Sequence, residues 1–189
     1  DLPGWVVLHA DTNYRTPRDI LASLNRLIRP ARAMVSGSPL AGPEAVDILT
    51  YANPAELMER TKTAVTRGLG AGFRKDHIAL LTYRGRERSL FTPLDRLGPH
   101  SLKAFTNRYD LFGSPVYREG DLLVDSVYRF KGRSAPCVLF TEIDFEDLDE
   151  QALRKLFVGM TRATLKLVLV LSERAARAVR SRLDLGEAK

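Results

Sequence analysis

The sequence predicts an α/β fold with a mainly parallel sheet flanked by helices, and two observations carry this prediction. Short apolar runs alternate along the chain with longer segments whose apolar residues recur at helical spacing. The run at 78–83 is almost wholly apolar, as expected for a parallel strand that is buried on both faces. Strand and helix patterns in alternation are typical of a layered α/β sandwich.

The predicted elements follow from apolar spacing and from residues that start or stop helices. The strands are predicted at 5–9, 46–51, 78–83, 122–127, 136–141 and 167–171. The helices are predicted at 17–29, 54–68, 153–160 and 173–183. Thr16 and Ser172 are candidate N-caps of the first and last helices, and Pro17 suits a first helical turn. Pro30 ends the first helix.

Two segments carry turn signals instead of periodicity. Residues 36–43 are rich in Gly, Pro and Ser and are predicted to form a loop. Residues 85–121 are expected to form a small irregular excursion, with one short helix and a hairpin that turns near 115–121. This excursion is shorter than an independent domain normally is, so residues 1–189 are predicted to form a single domain.

The composition limits the class of protein. Hydrophobic residues make up 44% of 189, which fits a folded globular chain. The single cysteine, Cys137, rules out an internal disulfide and suits a reducing cytoplasm. No apolar run is long enough to span a bilayer, so no membrane association is expected. Because the chain opens without a methionine, we interpret it as a segment of a longer protein.

The net charge of +6 favours a polyanionic partner such as nucleic acid or nucleotide. The alternative is that the charge serves solubility alone. Three segments sharpen the first interpretation, namely 13–17 (Asn-Tyr-Arg-Thr-Pro), 126–132 (Ser-Val-Tyr-Arg-Phe-Lys-Gly) and 156–163 (Leu-Phe-Val-Gly-Met-Thr-Arg-Ala). The glycine-rich phosphate loop G-x-x-x-x-G-K-[ST] does not occur in the sequence.

In this order and spacing, the three segments resemble motifs IV, V and VI of superfamily 1 helicases of the UvrD/Rep type. The resemblance runs from about residue 8 to residue 171 and is weakest between 85 and 121. It implies a RecA-like three-layer sandwich that is the second, C-terminal RecA-like domain of a helicase. In such enzymes ATP lies between two RecA-like domains, and the first domain carries the phosphate loop.

The resemblance implies roles at the nucleotide for residues of motifs IV and VI. Arg162 would act as the arginine finger on the transferred phosphoryl group, as guanidinium groups do in such reactions. Arg15 would also contact phosphate, and Tyr14 would stack on the nucleobase. Thr161 would either bind phosphate or hold Arg162. The alternative for Arg162 alone is a surface arginine that complements the dipole of a helix C-terminus.

Motif V implies further contacts. Ser126, Tyr128 and Lys131 would face single-stranded DNA, because hydroxyl, aromatic and cationic groups suit it. Gly132 and Ser134 would lie near the nucleotide. Ser134 stands where the family has a glutamate that contacts the nucleotide sugar, and its side chain is shorter and uncharged.

The strand at 78–83 resembles the one before motif IVa, which places Arg84 near the DNA path. The alternative, which fits the same residues equally well, is a buried core strand that is followed by a polar residue at its end.

The implied protein is an ATP-dependent DNA helicase or translocase. ATP and Mg²⁺ would be its cofactors, with Mg²⁺ held by the N-terminal RecA-like domain. Its partners would be single-stranded DNA and that N-terminal domain. The alternative is a non-catalytic nucleic-acid-binding or docking module that keeps a helicase-like fold. The acidic run 142–150 is interpreted as a solvated loop before a helix, and no metal site is predicted.

Overall fold

Ten strands and four α-helices alternate in the computed structural model, which describes residues 12–39 and 45–184. The strands are β1 Thr12–Asn13, β2 Val35–Ser36, β3 Val46–Tyr51, β4 Ile78–Thr82, β5 Arg96–Leu97, β6 His100–Tyr109, β7 Pro115–Tyr117, β8 Leu122–Ser126, β9 Ala135–Ile143 and β10 Ala163–Ser172. The helices are α1 Arg18–Ile28, α2 Pro54–Gly70, α3 Glu150–Met160 and α4 Glu173–Asp184. The predicted strand at 5–9 lies outside the described residues.

The main sheet runs in the order β3-β10-β9-β4-β8-β6-β5. The pairs from β3 through β6 are all parallel, and only β5 and β7 pair antiparallel to β6. The parallel strands therefore all begin at one edge of the sheet, called here the amino edge, and end at the other, called the carboxyl edge. Loops that follow these strands meet at the carboxyl edge, where ligands bind in open α/β sheets.

Helices cover both faces of the sheet and bury its apolar strands. The apolar sides of α1, α3 and α4 pack on one face. Helix α2 packs on the other through residues such as Leu57, Ala64 and Val65. The central strands β4 and β9 are buried along almost their whole length, which explains why their sequences are apolar without alternation. The predicted α/β sandwich with a mainly parallel sheet is confirmed.

Helix starts agree with the sequence in two cases and differ in one. Asn53 caps α2, with its side chain accepting from the Glu56 N–H at 3.0 Å. Ser172 Oγ accepts from the Ala175 N–H at 3.1 Å at the start of α4, as predicted. The prediction for Thr16 is wrong, because Pro17 is the N-cap of α1 and Thr16 is fully buried.

The segment predicted to be an irregular excursion contains three strands, β5, β6 and β7. Residues 100–109 form β6, which extends the parallel sheet beyond β8. The antiparallel strands β5 and β7 then make hairpins with β6. The predicted short helix is absent from this segment, and the β6–β7 hairpin turns at residues 110–114 instead of 115–121. The number of domains remains a prediction.

The acidic run is only partly a solvated loop. Glu142 lies inside β9, is fully buried and adopts a left-handed backbone with φ 59° at an irregularity in the β9–β10 pairing. Its carboxylate accepts from the Leu90 N–H at 2.8 Å. Burial raises the pKa of Glu142 above its ordinary value. The sequence interpretation failed here because local composition does not reveal how far a buried strand continues.

Candidate phosphate and nucleic-acid sites

Arg162 occupies the connection between α3 and β10, at the amino edge of the sheet. Its Nε donates to the carbonyl oxygen of Val158 at 3.0 Å, and its Nη1 donates to that of Arg133 at 3.2 Å. Its Nη2 donates to Thr161 Oγ1 at 3.0 Å. A guanidinium has five N–H groups. The side chain is therefore held in one orientation while some of its donors remain open.

The charge of Arg162 is buried, and no acidic side chain pairs with it among the residues that the structure describes. The residue is 8% exposed, and its contacts within the described chain are to neutral oxygens. Burial lowers the pKa of Arg162, and the positive charge of Arg15 lowers it further. Two guanidinium groups that repel each other make a region where an anion is stabilised. The chemistry of this arrangement suits a phosphate or carboxylate.

Arg15 and Tyr14 lie in a turn that Asn13 shapes. The Asn13 side-chain oxygen accepts from the backbone N–H groups of Arg15 and Thr16, each at 2.9 Å. This turn leaves Arg15 and Tyr14 exposed just before α1. The ring of Tyr14 lies against Gly37, where an added Cβ would come within 2.6 Å of the ring. An exposed ring beside an arginine can stack on a planar ligand whose phosphate the arginine holds.

Thr161, Gly132 and Ser134 all lie close to the Arg162 guanidinium. The Thr161 hydroxyl donates to the Phe157 carbonyl at 2.8 Å and accepts from Arg162, so it holds the arginine. Gly132 has φ +87° in an exposed turn, and Ser134 is exposed. The residue between these two, Arg133, provides the carbonyl that accepts from Arg162.

A second region lies at the carboxyl edge, beyond the ends of β4, β8 and β6. It is a cleft of about 630 Å³, called here the basic cleft. Its lining includes four arginines against one acidic side chain, together with two aromatic rings and a serine: Arg84, Arg86, Arg88, Arg129, Glu87, Phe105, Tyr109 and Ser126. Cationic side chains combined with aromatic faces are what a single nucleic-acid strand requires.

The ring of Phe105 lies against two arginines of the basic cleft. The Arg129 guanidinium lies 3.6 Å from the centroid of its ring, and that of Arg86 lies 5.1 Å from it. Arg129 Nε is also 3.4 Å from Asp125 Oδ1, and this carboxylate is almost fully buried. Burial raises the pKa of Asp125, while its hydrogen bond to the Ser126 N–H and the charge of Arg129 oppose the shift.

The predicted nucleic-acid residues divide between two places. Ser126 and Arg84 line the basic cleft. Tyr128 and Lys131 do not line it: both are exposed in the loop after β8, and the Lys155 ammonium lies 5.6 Å from the Tyr128 ring. Arg84 also lines a smaller cleft of about 360 Å³ beside Asp144 and Arg174, so it connects two adjacent depressions of the carboxyl edge.

Sequence reasoning missed Arg86, Arg129, Phe105 and Tyr109. Arg129 lies inside the motif V segment and Arg86 just after Arg84, so their positions offered a signal. Phe105 and Tyr109 offered none, because they reach the cleft only through the pairing of β6 with β8.

The loop at residues 127–134 connects the two regions. It leaves β8 at the carboxyl edge, beside Ser126, and enters β9 at the amino edge, beside Arg162. Val127 and Phe130 anchor it in the core on the same face as α1, α3 and α4. The loop is thus fixed to the core at these two residues, while most of its other residues are exposed.

The fold and these two regions together define an α/β domain suited to bind anions at opposite edges of its sheet. Comparison with known proteins concerns the family and the fold. Residues 121–170, about a quarter of the chain, match the family model of the UvrD-like helicase C-terminal domain. This segment contains β8, the 127–134 loop, β9, α3 and Arg162. The resemblance to the C-terminal domain of UvrD/Rep-like helicases is thereby confirmed.

A solved structure with the same fold is the C-terminal domain of a possible DNA helicase from Lactobacillus plantarum WCFS1. It superposes with a TM-score of 0.57 at 15% identity, covering 89% of this chain and 96% of that chain. At this identity the likeness concerns the fold. No curated protein matches the sequence significantly. Within the described residues, no helix is long and apolar enough to cross a membrane.

Proposed function

We propose that this chain is the second RecA-like domain of an ATP-dependent superfamily 1 DNA helicase or translocase. Its amino edge contacts the phosphates of ATP, and its basic cleft holds part of a single DNA strand. The observation that carries this proposal is the buried guanidinium of Arg162, which has no carboxylate partner within the described chain and has Arg15 nearby. An immobile cation without a counter-ion is suited to meet charge that develops on a phosphoryl group.

We assign roles to the neighbouring residues that fit their positions. Arg15 binds phosphate from the exposed side, and Tyr14 stacks on the nucleobase. Thr161 is a positioning residue, since its hydroxyl is engaged by Phe157 and Arg162. ATP binds at the boundary with a domain that carries a phosphate loop, and Mg²⁺ is held by that domain. The chain described here then senses the nucleotide through Arg162 and the DNA through Arg84, Arg86 and Arg129.

The chain alone is expected not to hydrolyse ATP, because a guanidinium group cannot replace the backbone nest and lysine that hold the β- and γ-phosphates. The test is a phosphate-release assay with the purified 189-residue chain, with and without single-stranded DNA. Turnover equal to that of buffer is the expected result. DNA-stimulated turnover by this chain would contradict the proposal.

A second candidate is a nucleic-acid-binding module without a motor. The observation that favours it is Ser134, which is exposed and occupies the place of the glutamate in the related helicases. Binding to single-stranded DNA distinguishes the two. A motor domain with half of the groove binds weakly and loses affinity steeply as salt rises. Tight binding that is insensitive to salt would favour the module.

A further inference from the structure

The β6–β7 hairpin presents two apolar side chains to solvent at its tip. Leu111 is 100% exposed and Phe112 is 92% exposed. A large exposed apolar pair next to polar surface commonly marks a contact site. The hairpin belongs to the segment for which the motif resemblance is weakest.

The tip is held rigidly by its own hydrogen bonds. One carboxylate oxygen of Asp110 accepts from the backbone N–H groups of Phe112 at 2.9 Å and Ser114 at 2.8 Å. The Asp110 N–H donates to the Ser114 carbonyl at 2.9 Å, and Gly113 provides the left-handed conformation of the turn with φ +78°. Phe112 is therefore presented in a fixed place, so little backbone entropy is lost when it binds something.

The base of the hairpin is part of the basic cleft. Asn107 and Tyr109 both line that cleft. Asn107 has φ 68° at a register shift between β6 and β7, and a bulge of this kind turns a hairpin relative to its sheet. As a result, β6 runs along the basic cleft and then continues directly into the tip of the β6–β7 hairpin.

Aromatic rings follow the same path. Phe105 packs under Arg129 in the cleft, and the Tyr109 ring lies 5.4 Å from that of Phe105 in an edge-to-face arrangement. Tyr109 is largely exposed, and Phe112 follows three residues later at the tip. The cleft therefore offers arginines for phosphates and, further outward, exposed rings for bases. This arrangement matches an unpaired strand, in which phosphates and bases lie side by side.

We infer that the hairpin is a base-contacting arm, on which unpaired nucleobases of a strand held in the basic cleft stack against Tyr109 and Phe112. Leu111 packs beside the stacked base. This inference rests on the proposed function, since it requires a nucleic-acid strand in the cleft, and it adds that the arm contacts bases and not phosphates. The arm binds by ring stacking, so it does not select a base sequence.

The experiment separates contacts to bases from contacts to phosphates. Binding of the 189-residue chain is measured by fluorescence anisotropy at about 50 mM salt. One probe is a labelled oligothymidylate of about 20 nucleotides, and the other is an abasic strand with the same number of phosphates. The variants are Phe112→Ala, Phe112→Trp and, as a matched control, Ile48→Ala. Ile48 is also exposed but lies on β3, at the opposite end of the sheet order from β6.

The expected result is a loss in Phe112→Ala of roughly 5- to 150-fold in affinity for oligothymidylate, with affinity for the abasic strand unchanged. Phe112→Trp retains affinity because it restores a stacking ring, and Ile48→Ala binds both strands like the parent. Thermal melts confirm that each variant is folded, which is expected for an exposed site whose turn uses only the backbone of Phe112.

The outcomes distinguish this inference from the proposed function. If the parent chain binds both strands equally, or if Phe112→Ala alters neither affinity, the arm does not contact bases. That result overturns the inference but leaves the proposed binding of a strand in the basic cleft intact. A parallel loss for both strands also overturns it, because the effect would then be on phosphate contacts or on the fold. If neither strand binds the parent chain even at low salt, the proposed function itself fails.

Discussion

The two edges of the sheet hold arginines in contrasting ways. At the amino edge, Arg162 is buried, is held by neutral oxygens and has no carboxylate partner in the described chain. At the carboxyl edge, Arg84 pairs with Asp144 at 3.3 Å, and Arg129 lies beside Asp125 and Phe105. A fixed cation without a counter-ion suits one anion in one geometry. Paired and partly exposed cations suit a polyanion that must slide.

The largest expected effect tests the fixed cation. In an enzyme that joins this domain to its phosphate-loop domain, Arg162→Ala should lower the rate of ATP hydrolysis by roughly 10³–10⁵ while leaving nucleotide binding largely intact. The matched control is Arg154→Ala on α3, the helix that precedes Arg162, because Arg154 is exposed and pairs with Glu150. Steady-state hydrolysis and nucleotide titration provide the two readouts. Near parental turnover in Arg162→Ala would refute the role.

The packing of α3 against the sheet is the next test, because Arg162 follows this helix directly and donates to the carbonyl oxygen of Val158 on it. A Cβ on Gly159 would overlap the ring of Phe140, which is fully buried in β9. Gly159→Ala should therefore lower the free energy of unfolding by about 1–3 kcal/mol, measured by denaturant titration.

The control for that variant is Gly70→Ala in α2, where an added Cβ meets nothing within 4 Å. It should be neutral or stabilising by about 0.5–1 kcal/mol, since alanine is the better helix former. If Gly159→Ala is as stable as Gly70→Ala, then α3 does not lie as close to the sheet as described.

A third test asks whether the cleft arginines contact phosphates. Arg86→Ala should reduce the slope of the logarithm of affinity against the logarithm of salt concentration by about 0.7 for single-stranded DNA. Arg74→Ala is the control, because Arg74 is an exposed arginine before the amino end of β4 and pairs with Asp76. Equal slopes for Arg86→Ala and the parent chain would exclude Arg86 from the phosphate path.

The smallest expected effects concern Asp144, which holds Arg84 and Arg174. Its hydrogen bond to Arg174 lowers the pKa of Asp144 to about 2. Because this value is below the ordinary pKa, the stabilisation is present at neutral pH and is lost as pH falls from about 4 towards 2. Asp144→Asn should cost about 1 kcal/mol of unfolding free energy at pH 7, after allowance for the exposure of Arg174. The free energy of unfolding should also fall less steeply as pH is lowered from about 4 towards 2.

The same substitution should slightly raise affinity for single-stranded DNA, since it removes a negative charge beside Arg84. Measuring both the free energy of unfolding and the DNA affinity of this one variant therefore separates the ion pair of Arg84 with Asp144 from its contact with DNA. A fall in affinity would indicate that Asp144 orients Arg84 for binding instead of competing with the DNA.

Much of the fold could be predicted from the sequence, because in these elements the local pattern of apolar residues matches what the structure buries. The runs that became β3, β4, β8 and β9 are mainly apolar, and α2 and α4 begin directly after the residues whose side chains cap them, Asn53 and Ser172. Thr16 failed as a cap because its side chain is buried in the core and Pro17 takes the N-cap position. Asn13 shapes the turn before α1 instead, by accepting from the N–H groups of Arg15 and Thr16. The strands at 96–117 escaped prediction because they lie at the edge of the sheet and carry exposed polar residues.

The sequence by itself determined the α/β class, the order of the central elements and the motif residues around Arg162, because apolar periodicity and short motifs are local properties. Only the tertiary structure decided that Arg162 is buried without a carboxylate partner among the described residues and that the charge of Arg15 acts on it. It also decided that β6 brings Phe105 and Tyr109 to Ser126. These facts depend on contacts between residues far apart in the chain, and such pairings are set by how the sheet assembles.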